Sequence, residues 1–349
     1  MDHRLKEIDI IRGITIILVV SGHVGLPDTI NGVLSTFRMP LFFMASGYLF
    51  SNSKYSRNYG ELLKSRFFRL LLPYFSACLL FYSLWLLRRY TENNDEFSWY
   101  APILGALYGN AEGLVFNMPL WFLVCLFCLQ IVFGITLIYL QKYLFKIQLG
   151  FYFLLGVTGF IITQFIHLPW GLDIALVMMP FFFIGNLLKE HKILYRVKFS
   201  TTVTVIISLI FIVTCFLNAP INASDREYNH FILFYAGGFS GSILVFGVTK
   251  ILSSSKVLVN FFSELGKGSL SILIFHMGAA LTVRSFVSTI GINQFTFDWA
   301  VYTIGAVLIS LIIDKVIRKI PVLNLLFNGK RRNKSSVVFH NGSHLKHLH

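Results

Sequence analysis

Apolar residues run along this chain in blocks close to the roughly 20 positions that a helix needs to cross a bilayer, separated by short polar stretches. The blocks fall at about 8–26, 33–50, 69–87, 119–140, 148–166, 171–189, 201–218, 231–252, 269–287 and 296–317. Their length excludes ordinary strands, and the pattern predicts an all-α polytopic membrane protein with about ten transmembrane helices. The stretch 101–109 is too short to span and reads as interfacial or re-entrant. No internal repeat is visible, so residues 1–320 are expected to form one transmembrane domain. Residues 321–349 are basic, carry His340, His344, His347 and His349, and are expected to form a disordered tail.

Polar residues inside the blocks are costly and ask for a reason. Arg12 and His23 interrupt the first block, eleven residues apart, which on a helix is three turns plus roughly 20° and about 16 Å of rise. They are expected on one face at two depths. Asp9 lies one turn before Arg12, so the two can pair and reduce the cost of burying each charge. Gly22, Gly25 and Pro27 end the first helix just beyond His23. Imidazole takes up a proton near neutral pH, which an alcohol must lose before it attacks a thioester.

Arg38 opens the second block, with Pro40 expected in a first helical turn. It reads either as a side chain snorkelling to the interface or as a contact to an anionic carrier or an oxyanion. Ser46 and Gly47 are small enough to let helices approach closely. Arg66 and Arg69, three apart, suit either lipid headgroups or the phosphates of a bound molecule. The loop 88–118 has a polar stretch at 91–96, then Trp99 and Tyr100, which fit a sugar-binding lip or a membrane anchor. Asp173 reads as an acid orienting a histidine or as a helix-start carboxylate. His276, midway through the ninth block, either lines a site or makes an interhelical hydrogen bond.

Composition narrows the classes. The chain has 349 residues, 55% hydrophobic and 13% charged, too few charges for a soluble globule. Its net charge of +14 would suit a nucleic-acid partner were it not for where the cations fall. With the N-terminus inside, Arg88, Arg89, Arg226 and Arg284 lie outside and Arg12 and Arg38 in the membrane, leaving 24 of the 30 Lys and Arg cytoplasmic. This is the positive-inside pattern, so the charge reports orientation in a lipid bilayer, with both termini cytoplasmic and no nucleic acid. A cleaved signal peptide is disfavoured because Arg12 breaks the apolar run and no small-x-small site follows. Cys78, Cys125, Cys128 and Cys215 all lie inside blocks and read as core packing. No His, Asp or Glu cluster has metal-ligand spacing, so no metal is expected.

Several of these motifs carry a resemblance. Arg12, ten residues and His23 are followed by Phe42-Phe43-Met44-Ala45-Ser46-Gly47-Tyr48-Leu49 at the end of the second block. Arg66-x-x-Arg69, the run from Asn117 to Trp121-Phe122-Leu123, and Gly266-Lys267-Gly268-Ser269-Leu270 before His276 complete the set. Together they resemble the integral-membrane acyltransferase-3 family, nearest its fucose 4-O-acetylase-like, surface polysaccharide O-acetyltransferase branch. The resemblance implies a multi-pass enzyme of a bacterial inner or plasma membrane that moves an acetyl group from acetyl-CoA to a sugar hydroxyl of a surface polysaccharide or lipid-linked glycan. Acetyl-CoA would be a substrate, with no permanently bound cofactor. His23 would be the base, or carry the acetyl group transiently. Arg12, Arg66 and Arg69 would hold CoA phosphates, and Asp9, Arg38, Asn117, Trp121 and His276 would line the site. No soluble catalytic domain is expected after the membrane region. The competing reading is a transporter or flippase for a small solute or lipid-linked sugar, which predicts inverted repeats and matched broken helices.

Overall fold

The computed structural model describes residues 3–55, 58–92, 98–191, 200–291 and 296–330. The expectations for 93–96 and for the histidines beyond residue 330 lie outside them, as does most of the basic stretch 189–198, which reads as a cytoplasmic loop. Among the described residues the chain is helical, apart from turns and an isolated bridge between Asn222 and Glu227. We number the helices α1 (His3–Ser21), α2 (Asp28–Leu49), α3 (Tyr59–Thr91), α4 (Ala101–Tyr108), α5 (Trp121–Leu140) and α6 (Phe145–Ile162). The remainder are α7 (Leu172–Glu190), α8 (Thr201–Leu217), α9 (Phe231–Leu252), α10 (Lys256–Thr289), α11 (Asp298–Lys319) and α12 (Pro321–Asn328).

Each of the ten apolar blocks is helical. Among the described residues, seven helical stretches are long and apolar enough to cross a membrane: α3, α5 with the turn before it, α6, α7 with the turn before it, α9, α10 and α11. The others fall short for visible reasons. α1 carries Arg4, Lys6, Glu7, Asp9 and Arg12, α2 has a polar first half, and α8 has only 17 residues. α8 is apolar on faces that meet no other helix, with Phe216 85% exposed, the pattern of a helix turned to lipid.

The core is aromatic and its helices are drawn together by glycine. Phe43, Phe133, Phe181 and Phe182 are fully buried, with Phe133 and Phe182 edge to face at 4.9 Å. A Cβ on Gly47 would overlap the carbonyl oxygen of Phe182, and one on Gly185 would overlap that of Met44. Thus α2 and α7 meet backbone to backbone, as the small residue at 47 suggested. The same device joins α1 to α10, where Gly266 lies against the Asp9 carbonyl and Gly13 against that of Phe262.

Three expectations change. α2 begins at Asp28, so Pro40 is inside the helix rather than in its first turn, and its ring deprives the Thr36 carbonyl of its usual donor. α10 begins at Lys256, so Gly266-Lys267-Gly268 lies within it. Residues 321–328, expected at the start of the tail, form α12. Its Asn328 is buried, donating to Asp314 Oδ1 at 3.3 Å and accepting from Ser271 Oγ at 3.1 Å. A polar side chain inside the bundle needs such partners, and Asp314 has two more, Ser271 Oγ at 2.8 Å and Arg318 Nη2 at 2.5 Å.

Candidate active site

α1 and α10 run parallel and in contact, and Arg12 on α1 and His23, in the turn just beyond its end at Ser21, both meet α10. Arg12 Nη2 donates to Ser269 Oγ at 2.7 Å, and the His23 ring lies beside that of His276, centroids 5.3 Å apart. Ser269 and His276 are seven residues apart, two turns of one helix. One seam therefore has a charged end and an imidazole end.

At the charged end Arg12 and Asp9 pair at 3.7 Å, both half-buried. Arg69 and Lys330 are close enough to Arg12 for their charges to oppose each other. Gly329, with φ of 62°, lies against the backbone of Phe68 and Arg69, which brings Lys330 there. Desolvation lowers the Lys330 ammonium from its ordinary value, and Arg318, Arg12 and Arg69 lower it further. Arg66 behaves differently from Arg69. It is buried, with its guanidinium 4.9 Å from the Tyr55 ring and 5.4 Å from that of Phe50, whereas Arg69 is exposed. The π-helical turn Phe67–Leu71 separates their directions, so the pair does not share one side as regular helical spacing predicts.

At the imidazole end, His276 is fully buried. Its Nδ1 lies 3.0 Å from the Ile272 carbonyl and 2.9 Å from that of Leu273. Carbonyls only accept, so Nδ1 carries the proton and Nε2 the lone pair. Nε2 is buried with no partner among the described residues. His276 is thus bound to its own helix rather than across to another. His23 is half-buried and lines a cavity of about 30 Å³ with Met39, Phe42, Pro119, Trp121 and Leu273. Asn117 is buried and donates to the Ile274 carbonyl at 2.8 Å, which ties the entry of α5 to α10.

Arg38 is held over the end of α1. Its Nη1 donates to the Leu18 carbonyl at 3.3 Å and to Asn31 Oδ1 at 3.2 Å. The first bond caps a helix C-terminus with a cation, a favourable arrangement. A side chain on Gly22 would overlap the guanidinium, so Arg38 rests on the residue before His23.

Sequence reasoning passed over one charged cluster on the same side of the bundle as His23. Arg226, read there as an outside cation, donates from Nε to Asp173 Oδ2 at 2.8 Å, both side chains buried. Asp173 therefore pairs with an arginine rather than orienting a histidine. It also stands in the first turn of α7. Glu112 lies 3.6 Å from Arg226 Nη1 and 3.2 Å from His167 Nδ1. No sequence spacing announces this cluster, because its members come from separate loops and from the first turn of α7.

A family model described as an acyltransferase domain, that of the acyltransferase-3 family, matches residues 5–315. The match covers nearly the whole chain, which therefore belongs to this family and is a membrane acyltransferase by class. No curated protein matches it. No solved structure matches it.

Proposed function

We propose that the chain is an O-acetyltransferase that moves an acetyl group from acetyl-CoA to a sugar hydroxyl of a surface polysaccharide or lipid-linked glycan. The observation that carries this reading is the α1–α10 seam, which sets the His23 imidazole beside a cavity, the His276 ring behind it, and a cluster of cations two turns of α10 away. A donor with phosphates at one end and a thioester at the other fits such a seam.

Arg12 and Arg69, with Lys330, would hold the phosphates from the cytoplasmic side. Arg66, engaged by Tyr55 and Phe50, would brace this end rather than bind directly. The pantetheine arm would lie along α1, bringing the thioester to His23. There His23 accepts the proton of the sugar hydroxyl and the oxygen bonds to the acetyl carbon. The carbon–sulfur bond then breaks, and the departing CoA sulfur takes the proton from His23. The bare Nε2 of His276 would accept a hydrogen bond from the attacking hydroxyl or from His23. Arg38 stands beside His23, where a tetrahedral oxyanion would form. Apolar walls of Trp121, Phe42 and Met39 would disfavour water at the thioester.

Incubating purified protein with radiolabelled acetyl-CoA and de-esterified surface polysaccharide tests the reading. Labelled, base-labile ester on the polysaccharide is the expected product. Absence of both label transfer and CoA release would overturn it and favour a carrier.

A further inference from the structure

Away from the α1–α10 seam the chain has a second polar concavity. It has a volume of about 340 Å³ and is bordered by Tyr108, Asn110, Glu112 and His167, with Gly105 and Gly113 at its floor. It lies between α4 and the turn before α7, and is built rather than incidental. Tyr108 donates from its hydroxyl to the His167 carbonyl at 2.5 Å, Trp170 Nε1 donates to the Leu107 carbonyl at 2.8 Å, and Asn110 Oδ1 accepts from Gly171 N at 3.1 Å. Gly105 and Gly113 meet backbone to backbone, where any side chain would overlap.

Behind the pocket the backbone carries strain. Among the described residues, the non-glycine positions with positive φ are Trp170 at 59°, Arg226 at 64° and Asn229 at 58°, all in the two loops beside it. Such conformations cost about 1–3 kcal/mol each and persist where surrounding structure over-determines them. The buried Asp173–Arg226 pair is that structure. A buried ion pair contributes little net stability against an apolar replacement. Here it fixes Arg226, and through it the Glu112 carboxylate at the pocket wall.

The chemistry on offer is that of hydroxyl recognition. Glu112 presents a carboxylate that accepts from hydroxyls and is 59% exposed. His167 Nδ1 lies 3.2 Å from it, so the ring pairs with the carboxylate when protonated. Tyr108 presents part of its ring as an apolar platform for the carbon–hydrogen face of a sugar. Among the residues that line the pocket Glu112 is the carboxylate, so an anionic headgroup meets repulsion there whereas a neutral saccharide does not. The volume is at the lower end of small-ligand pockets, roughly 300–1,000 Å³, and suits one or two sugar rings.

The pocket is also connected to the imidazole end. Gly113 at its floor and Pro119 at the His23 cavity are six residues apart, at most about 21 Å even for fully extended chain. A short oligosaccharide spans that interval. We propose that this pocket docks a neutral sugar residue of the acceptor glycan, one or a few residues from the hydroxyl that is acylated. The assignment rests on the acyltransferase reading above, but it has a readout of its own.

The test uses the full chain in nanodiscs, with short oligosaccharides from the host cell's surface polysaccharide after ester removal by mild base. Binding is followed by saturation-transfer NMR titration, and transfer by label incorporation. Glu112→Gln and His167→Ala are each expected to weaken binding at least tenfold and to raise the acceptor KM by a similar factor, with kcat within twofold of wild type. His23→Ala is expected to abolish transfer while leaving the oligosaccharide in contact with Glu112 and His167. Unfolding midpoints of the variants equal to wild type separate lost recognition from lost folding, since Glu112 and His167 are 59% and 43% exposed. Oligosaccharide binding unchanged in both pocket variants, or none by wild type, would overturn the assignment. Binding that Glu112→Gln weakens, with no acetyl transfer by wild type, would retain the pocket and remove the acetyl-CoA reading instead.

Discussion

The two ends of the α1–α10 seam solve different problems with the same pair of helices. At one end Arg12 has Asp9 at 3.7 Å and Ser269 at 2.7 Å, and further cations stand around it. At the other, His23 and His276 lie ring to ring within apolar walls, and His276 turns its proton toward its own backbone. Under the proposed function the first end would keep a permanent charge in place for an anionic handle, and the second would hold an exchangeable proton site among apolar walls.

Removing the imidazole should break the comparison most severely. His23→Ala is expected to lower kcat by about 10²–10⁴, the usual contribution of a positioned base, with donor binding retained. Initial rates of acetyl transfer, with labelled acetyl-CoA binding measured in parallel, check this. Arg12→Ala acts at the other end and should raise the KM for acetyl-CoA by roughly 10–100-fold, as loss of a charged hydrogen bond of about 1.5–3 kcal/mol implies. Its kcat should change less, and Arg12→Lys should recover part of the affinity. A kcat defect without a KM change would contradict the division of roles.

Two smaller effects sharpen the picture. Gly266→Ala forces a methyl group against the Asp9 carbonyl and should cost about 1–3 kcal/mol of stability while moving both ends of the seam. Thermal unfolding in detergent reads the first consequence, and concurrent loss of donor affinity and rate the second. Asn328→Ala removes one arm of the Asp314 cluster and should cost about 1 kcal/mol. Through Lys330 it should also raise the donor KM slightly, without altering acceptor kinetics.

How much of this was legible in the sequence depends on the distance over which each residue acts. The helices were, because block length and apolar content are local properties. Arg12 and His23 both meet α10, although His23 lies in the turn beyond Ser21 and not on the face of the helix that eleven residues' spacing predicts. Pairing across the chain was harder. The motif at Ser269 and His276 was visible, but nothing in its spacing says that Ser269 receives Arg12 or that His276 bonds to its own helix. Arg66 and Arg69 were misjudged as a pair because a π-helical turn alters the angular step. Asn328 looked like the start of a polar tail, since its partners Ser271 and Asp314 lie 57 and 14 residues away. The Glu112–Arg226–Asp173 cluster was invisible for the same reason, its members being drawn together only by the folded loops.

The most direct test is the O-acetyl content of the surface polysaccharide from cells making either wild type or His23→Ala, at membrane levels matched by blot. The present reading predicts base-labile acetyl esters with wild type and their loss with His23→Ala. Equal ester content in the two strains would contradict it and remove His23 from the chemistry.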